Sequence, residues 1–239
     1  MLGQGLPNFQ DCLMTTPTTP HSPKSYEDAM GDDHVGTSAN TPLKPDAFAL
    51  SDEEKMVKIE SKFREIMDVL GLDLNDDSLS GTPKRVAKMY VKEIFSGINP
   101  ENHPDVKTFE NVYGYNHMLV ERDINVNSTC EHHFLPIVGH AHVAYIPNGR
   151  VVGLSKLNRV VDHYARRPQV QERLTRQVLG ALQELLGTDD VAVVIDAKHL
   201  CVSSRGIQDE SSSTVTASYG GLFDDDVDTR NEFLAHVGA

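Results

Sequence analysis

Apolar residues in the first part of the chain recur at helical spacing and predict two helices. Ser51 is a suitable N-cap with acidic residues after it, so the first helix is expected to begin there and to end at Gly71. A proline at the first helical position marks the second helix, which begins at Thr82-Pro83 and ends at Gly97. Their apolar stripes contain Val57, Ile59, Phe63, Ile66, Met67 and Leu70, and then Val86, Met89, Tyr90 and Ile94. Both segments are predicted to be packing helices.

Two extended segments come next. Between Met118 and Ser128, charged or polar residues alternate with Val120, Ile124 and Val126, and Ile137–Ile146 has a similar extended character. These segments are predicted to form an antiparallel pair. The loop that connects them carries Cys130-Glu131-His132-His133.

Two more helices are expected after this pair. Ser155 is predicted to cap a helix that ends at Arg166, because Pro168 stops it. A longer helix then extends to Gly187, and its apolar stripe contains Val170, Leu174, Val178, Leu182 and Leu185.

The last two predicted elements are strands. Val191–Asp196 is apolar on both faces, which is typical of a buried strand, and it leads to His199 and Cys201. Ser212–Tyr219 predicts the final strand. Helix pairs thus alternate with strand pairs along the chain, and this order indicates the α+β class.

The two ends of the chain differ from its centre in composition. Residues 1–48 hold six of the 12 prolines, are rich in Ser and Thr, and are predicted to be a disordered tail. Residues 224–239 carry five acidic residues and one Arg, and are predicted to be a solvated acidic tail. Residues 49–223 are therefore expected to form the folded domain.

Charge and composition exclude several classes of protein. The net charge is -13, which is unsuited to non-specific nucleic-acid binding because phosphate backbones require a broad basic surface. No apolar run approaches membrane-spanning length, and the N-terminus lacks the order of a secretory signal. Three cysteines cannot form a disulfide framework. A cytoplasmic protein that binds neither nucleic acid nor membrane is expected.

The side chains of Cys130, His133 and Cys201 are two thiolates and an imidazole, which are ligands that Zn²⁺ favours. Three protein ligands leave the fourth tetrahedral position open, which is typical of a catalytic site, and Glu131 and His132 would then remain beside the metal as titratable groups. The alternatives are histidines that only bond the backbone, buried unpaired thiols, or a structural zinc site. A structural site normally has four Cys or His ligands, and the only other thiol, Cys12, lies in the predicted tail.

Five spaced motifs resemble the GTP cyclohydrolase I family. They are Gly81–Met89, Cys130–Pro136, Gly153–Arg159, Arg167–Arg173 and His199–Gly206, and the resemblance covers roughly residues 50–223. It implies a tunnelling fold, in which a four-stranded antiparallel sheet is backed by two helices and preceded by N-terminal helices. It also implies an oligomeric barrel, a homodecamer of two pentamers, with active sites between subunits.

The resemblance further implies the reaction. Members of the family open the imidazole ring of GTP, release C8 as formate and form 7,8-dihydroneopterin triphosphate. Purine C8 is a weak electrophile, so zinc is needed to lower the pKa of the attacking water, and a proton donor is needed for the imidazole nitrogen. His132 and His199 can each supply this donor. We expect His199 to be the general acid at N7 and His132 to transfer protons in the hydrolytic steps, but the sequence does not determine which histidine has which role. The family also implies a role for Ser155 in the later sugar rearrangement.

Basic residues supply candidate triphosphate ligands. Ser155 and Lys156 lie at a predicted helix N-terminus, which favours an anion, and Arg159 and Arg205 are fork-shaped donors. Two further residues, Arg85 and Lys88, resemble family residues that reach the triphosphate from an adjacent subunit. The alternative for all of these side chains is a solvated surface charge.

Guanine recognition requires an acceptor for N1–H and the exocyclic amine. Glu172 matches the family residue in that role, and Gln171 is expected to help orient the base. The alternative for Glu172 is a surface glutamate that the helix dipole favours.

Three competing functions remain at this stage. A zinc nucleobase deaminase would need a Cys-x-x-Cys motif, which the sequence lacks. A catalytically inactive subunit of the same fold would bind a purine without catalysing the reaction. A reductase of that fold would use NADPH and would not need three zinc ligands. The downstream pathway and any regulatory partner are not determined by the sequence.

Overall fold

The protein is described from a computed structural model that covers residues 38–238. Three helices precede the first strand: α1 (Asp52–Val69), α2 (Asp77–Ser80) and α3 (Thr82–Met89). Helix α1 begins at the predicted cap, where Ser51 and Glu54 satisfy each other's backbone N–H groups. In the described part of the chain, no helix combines the length and the apolar character that crossing a membrane requires.

The second predicted helix is shorter than expected. It was predicted to run to Gly97, but α3 passes into a π-helical turn at Tyr90–Ile94 and then into 3₁₀ turns at Ser96–Ile98 and Pro100–Asn102. Gly97 lies so close to the helix α4 (Leu154–Ala165) that an added Cβ would be 2.0 Å from the carbonyl oxygen of His163. The helix therefore gives way to irregular turns where the backbone makes this contact.

The central sheet has five strands in the order β5-β2-β3-β6-β7. Its strands are β2 (Leu119–Cys130), β3 (Pro136–Tyr145), β5 (Pro168–Gln169), β6 (Val191–His199) and β7 (Thr214–Tyr219). The four long strands pair antiparallel as predicted, and the short β5 adds a parallel pairing to β2. The α+β class is confirmed, with a mixed sheet. A separate ribbon pairs β1 (Thr108–Glu110) with β4 (Arg150–Val152).

Helices α4 (Leu154–Ala165) and α5 (Gln171–Leu186) share the main core with one face of the sheet. Alternate residues of each strand point to this face, so the strands contribute every second side chain. The fully buried members include Val126, Ile137, Val143, Ile195, Leu157, Val161, Leu174, Val178 and Leu182. This packing fixes the first turn of α5 beside the end of β6.

The C-terminal segment is a correction to the sequence analysis. Residues 224–239 were predicted to be a solvated tail, but α7 (Leu222–Asp225) is followed by α8 (Val227–Val237). Phe223 and Phe233 are fully buried in a second apolar cluster with residues of β3 and β6. The acidic run has a local role, because the carboxylate of Asp226 accepts from the N–H of Thr229 at 2.9 Å and caps α8.

The predicted N-terminal tail is also shorter than expected within the described residues. Residues 1–37, including Cys12, lie outside them. Residues 45–48 form a turn, and the carbonyl oxygen of Ser38 accepts a hydrogen bond from Nε of Arg173 at 2.7 Å. A further short helix, α6 (Leu200–Ser203), follows β6 directly.

Candidate active site

The ends of three strands bring the predicted metal ligands together. Strand β2 ends at Cys130, a three-residue turn carries His133, and Cys201 lies in α6 just after β6. The register of the sheet pairs Ile137 with His199, so the turn before β3 lies beside the end of β6. The two Sγ atoms and a ring nitrogen of His133 all lie within 4.8 Å of one another.

This donor set fits a zinc ion. A tetrahedral site with Zn–S bonds of about 2.3 Å separates neighbouring sulfurs by about 3.8 Å, which is compatible with the observed cluster. Burial, with a further contribution from Cys130, raises the pKa of the Cys201 thiol to about 11. A divalent cation reverses that preference because it binds the thiolate. Among residues 38–238, no fourth His, Cys, Asp or Glu joins the group.

The turn that carries His133 is held by backbone and aromatic contacts. The N–H of Cys130 donates to the carbonyl of Leu135 at 2.8 Å, and the N–H of Phe134 donates to the carbonyl of Cys130 at 2.9 Å. Phe134 has φ +54, a conformation that non-glycine residues seldom adopt. Its ring packs against Phe95 and Tyr90, with centroid distances of 5.1 and 6.4 Å. The π-helical segment Tyr90–Ile94 therefore supports the turn that carries His133.

Glu131 and His132 lie in the same turn but have different surroundings. Both carboxylate oxygens of Glu131 accept from Arg173, at 2.6 and 3.2 Å. The predicted role of Glu131 as a titratable group beside the metal therefore conflicts with its bidentate pairing. Nδ1 of His132 lies 3.7 Å from Sγ of Cys130, so its imidazole is next to the metal cluster, as predicted.

His199 is fixed by a buried amide. Its Nε2 lies 2.8 Å from Oε1 of Gln171, whose Nε2 donates to the carbonyls of Ile195 and Thr214. Burial lowers the pKa of His199, and the carboxylate of Glu172 acts in the opposite direction. Gln171 was predicted to orient the base, but its side chain is fully buried and its amide is engaged within the protein.

The predicted phosphate ligands lie around the start of α4 and after α6. Ser155 was predicted as the N-cap of α4, but Gly153 occupies that position and Ser155 is exposed in the first turn. Nζ of Lys156 donates to the carbonyl of Asp105 at 3.1 Å, and Nη1 of Arg205 donates to Nε2 of His133 at 2.8 Å. Arg159 is exposed on α4.

Two predicted ligands belong to a different part of the chain. Arg85 and Lys88 are exposed on α3, and Arg85 donates to the carbonyl of Ser78 and to Oγ1 of Thr82. No hydrogen bond or ion pair within residues 38–238 connects either of them to the metal cluster. Glu172, the predicted guanine ligand, is exposed in the first turn of α5 and is close enough to His199 to affect its pKa.

Arg173 contacts the turn that carries His133 through Glu131, and the sequence analysis quoted it in a motif but did not assign it. It is almost fully buried on α5 and holds the Glu131 carboxylate. One signal was available in the sequence, because a charged residue directly precedes Leu174 in the apolar stripe of that helix. Its partner lies 42 positions away and could not be identified from spacing.

The fold and site define an α+β protein with a cluster of two sulfurs and one ring nitrogen that fits a metal ion. The family model of GTP cyclohydrolase I matches residues 59–238. The chain therefore belongs to the GTP cyclohydrolase I family.

Individual relatives agree over most of their length. The chain is 58% identical to GTP cyclohydrolase 1 of Flavobacterium johnsoniae over 214 residues, which cover 90% of this chain and 96% of the relative. It is 58% identical to GTP cyclohydrolase 1 of Aeromonas hydrophila subsp. hydrophila over 195 residues, covering 82% and 88%. The enzyme of Escherichia coli O1:K1 / APEC is 53% identical over 203 residues, covering 85% and 91%.

Proposed function

We propose that the protein is a zinc-dependent hydrolase that opens the guanine imidazole ring of GTP, releases formate and forms 7,8-dihydroneopterin triphosphate. Family membership supports the substrate and the product. The observation that carries the chemistry is the cluster of Cys130, His133 and Cys201 within 4.8 Å; His132 lies 3.7 Å from Sγ of Cys130, and His199 is two residues before Cys201 in the chain. Neither a deaminase nor an NADPH-dependent reductase accounts for both the cluster and the family match.

Zinc bound by Cys130, His133 and Cys201 would supply Lewis acidity for hydrolysis at a purine carbon. His199 donates through Nε2 to Gln171, so Nδ1 is the ring atom that exchanges a proton with substrate N7. His132 transfers protons in the steps that release formate. The thiols of Cys130 and Cys201 are not in disulfides and suit a reducing compartment such as the cytoplasm.

The triphosphate is bound by cations that have weak partners in this chain. Lys156 donates to the backbone carbonyl of Asp105, and Arg205 donates to Nε2 of His133, so neither acceptor is a carboxylate. A phosphate oxygen would replace either partner with a charge-assisted hydrogen bond, which is roughly twice as strong. Arg159 and Ser155 add donors from the exposed side of α4, and Ser155 assists the sugar rearrangement.

Guanine is recognised by Glu172. An exposed carboxylate in the first turn of α5 can accept from both N1–H and the exocyclic amine of guanine, whereas adenine lacks that pair of donors. Glu172 also interacts electrostatically with His199. This supports binding of the base between the Glu172 carboxylate and His199, the proposed general acid.

Assembly into a decamer of two pentamers would complete the site. Within the described chain, β7 pairs only with β6, and β5 pairs only with Thr129 and Cys130 of β2. Both edges of the sheet therefore have unpaired backbone groups. Pairing with neighbouring copies would close a barrel. Arg85 and Lys88 would then reach the triphosphate from the adjacent subunit.

One assay tests the proposed function. Zinc-loaded protein is incubated with GTP, formate is quantified, and the oxidised product is examined for pterin fluorescence, alongside a measurement of particle mass. We expect equal amounts of formate and pterin from a decamer. Ammonia without formate would indicate a deaminase, and GTP binding without either product would indicate a silent purine-binding subunit.

A further inference from the structure

The turn at residues 131–133 carries the proposed zinc ligand His133 and is called the metal turn. A buried ion pair attaches it to α5, and neither residue of this pair belongs to the cluster of Cys130, His133 and Cys201. Nη1 and Nη2 of Arg173 donate to the two carboxylate oxygens of Glu131 at 2.6 and 3.2 Å. The Arg173 side chain is 2% exposed and that of Glu131 is 17% exposed, so solvent cannot replace either partner easily. Glu131 directly follows the ligand Cys130 and is two residues before the ligand His133.

The third guanidinium nitrogen of Arg173 is also used. Its Nε donates to the carbonyl of Ser38 at 2.7 Å, so three hydrogen bonds fix the guanidinium plane. A guanidinium fixed in this way presents a rigid fork to the carboxylate. The N–H of Glu131 is also bound, because it donates to the carbonyl of Gln169 at 3.0 Å. Glu131 is thus held through both its backbone and its side chain.

These contacts are inconsistent with acid–base chemistry by Glu131. A proton-transferring carboxylate needs an oxygen that can approach the substrate, and both oxygens here accept from Arg173, while Oε1 also lies 3.9 Å from Nε2 of His132. Groups that orient metal ligands without binding the metal normally act on metal affinity. The Glu131 pair differs from a surface ion pair such as Asp162 with Arg166, which is half-exposed and joins α4 to its own C-cap residue.

We propose that Glu131 is a positioning residue: its buried pair with Arg173 holds Cys130 and His133 in the geometry that binds zinc. This inference rests on the proposed metal centre. It predicts that breaking the pair weakens zinc binding, while the zinc-saturated enzyme keeps its turnover.

The test measures zinc affinity of the full chain by competition with a chromophoric chelator. The variants are Glu131→Gln, Arg173→Lys and the double variant, with Asp162→Asn as a matched control for loss of a carboxylate paired to arginine. We expect each single variant to bind zinc about 10- to 100-fold more weakly, and the double variant to be little worse than either. Glu131→Asp, which keeps the charge, should recover part of the affinity, and Asp162→Asn should leave it unchanged.

Turnover at saturating zinc separates the two roles of Glu131. We expect kcat and KM of Glu131→Gln to stay within a few-fold of the parent values. Unchanged zinc affinity with a kcat lower by about 10²- to 10⁴-fold would overturn the inference and make Glu131 an acid–base residue. If the parent chain itself binds no zinc, the proposed metal centre fails as well. Unfolding of the zinc-free variants, followed by circular dichroism, identifies any that do not fold, and Glu131→Asp and Arg173→Lys then decide the result.

Discussion

Nε2 of His199 lies 2.8 Å from Oε1 of Gln171, and the surroundings of the amide fix the direction of this hydrogen bond. The Gln171 amide nitrogen donates to two backbone carbonyls, so the amide oxygen is the atom that faces the ring. The ring must therefore carry its proton on Nε2, which leaves Nδ1 as the second ring nitrogen for chemistry.

Replacing Gln171 with Leu should impair catalysis without removing zinc. The ring of His199 would lose both its orientation and its tautomer, and misplacement of a catalytic group costs on the order of 10²-fold in kcat. Steady-state pterin formation and zinc content should be measured together. Gln183→Leu, on the same helix and bonded only to a carbonyl of Asp189, is the control. Unchanged kcat in Gln171→Leu would show that the amide does not set the geometry of His199.

Alanine at the two histidines should separate catalysis from metal binding. His132→Ala and His199→Ala should each retain zinc and lose about 10²- to 10⁴-fold in turnover, as expected for loss of an acid–base group. His133→Ala should lose zinc, because its ring nitrogen belongs to the ligand cluster. Metal content by atomic spectroscopy decides the assignment. Zinc loss from His132→Ala with retention in His133→Ala would exchange their roles.

Glu172→Gln should weaken GTP binding while leaving zinc in place. A hydrogen bond to a charged acceptor contributes about 1.5–3 kcal/mol, so KM should rise by roughly 10- to 100-fold. Kinetics with GTP and a zinc assay provide the measurement. Glu184→Gln, an exposed glutamate on the same helix, should behave like the parent chain. Equal KM values for the two variants would remove Glu172 from the guanine site.

His163 should make the fold less stable in mild acid. Burial, Arg167 and His103 lower its pKa to about 4, although Asp162 and the backbone of Asn102 act in the opposite direction. The unfolded chain binds a proton near pH 6.5 and the native chain does not, so this contribution to stability is complete above that pH and falls as the pH drops towards 4.

The size of this effect can be measured by urea unfolding at about pH 7 and about pH 5. The His163 contribution should decrease by about 2 kcal/mol between these conditions. The variant His163→Gln should lack this part of the pH dependence. If the parent chain and the variant lose stability equally, His163 is not responsible.

Phe233→Ala should strongly destabilise the protein. Phe233 is fully buried and lies edge-on to Phe223 with a centroid distance of 5.8 Å, and truncation of a buried phenylalanine costs about 3–5 kcal/mol. Chemical unfolding gives the change in free energy. Val227→Ala, at an exposed position of the same helix, should change it by no more than about 0.5 kcal/mol. A neutral Phe233→Ala variant would restore the idea of a solvated C-terminal tail.

Local signals in the sequence predicted much of this fold. These signals depend only on neighbours along the chain. They are the capping residues of α1, the apolar stripe of α5 before Gly187, and the strand Val191–Asp196, which is apolar on both faces. Helix α8 was missed because the run of aspartates before it was interpreted alone. Phe233, Leu234 and Val237 follow at helical spacing, and this pattern was available.

Ligand type and motif predicted the metal cluster, but long-range partners could not be derived. The sequence gives no distance between Glu131 and Arg173, nor between His199 and Gln171, because only the register of the sheet and the packing of α5 bring them together. Gln171 was assigned to the base for this reason. Side-chain partners across elements are a property of packing and not of local pattern.

Val170 alone separates β5 from α5, and the three side chains after it leave the helix about 100° apart. Gln171 contacts His199, the proposed proton donor, Glu172 is exposed and is the proposed guanine ligand, and Arg173 contacts Glu131, which lies between two proposed zinc ligands. Adding or deleting one residue at this junction would rotate all three away from their targets together. The position at which α5 starts is therefore constrained by all three of these contacts at once.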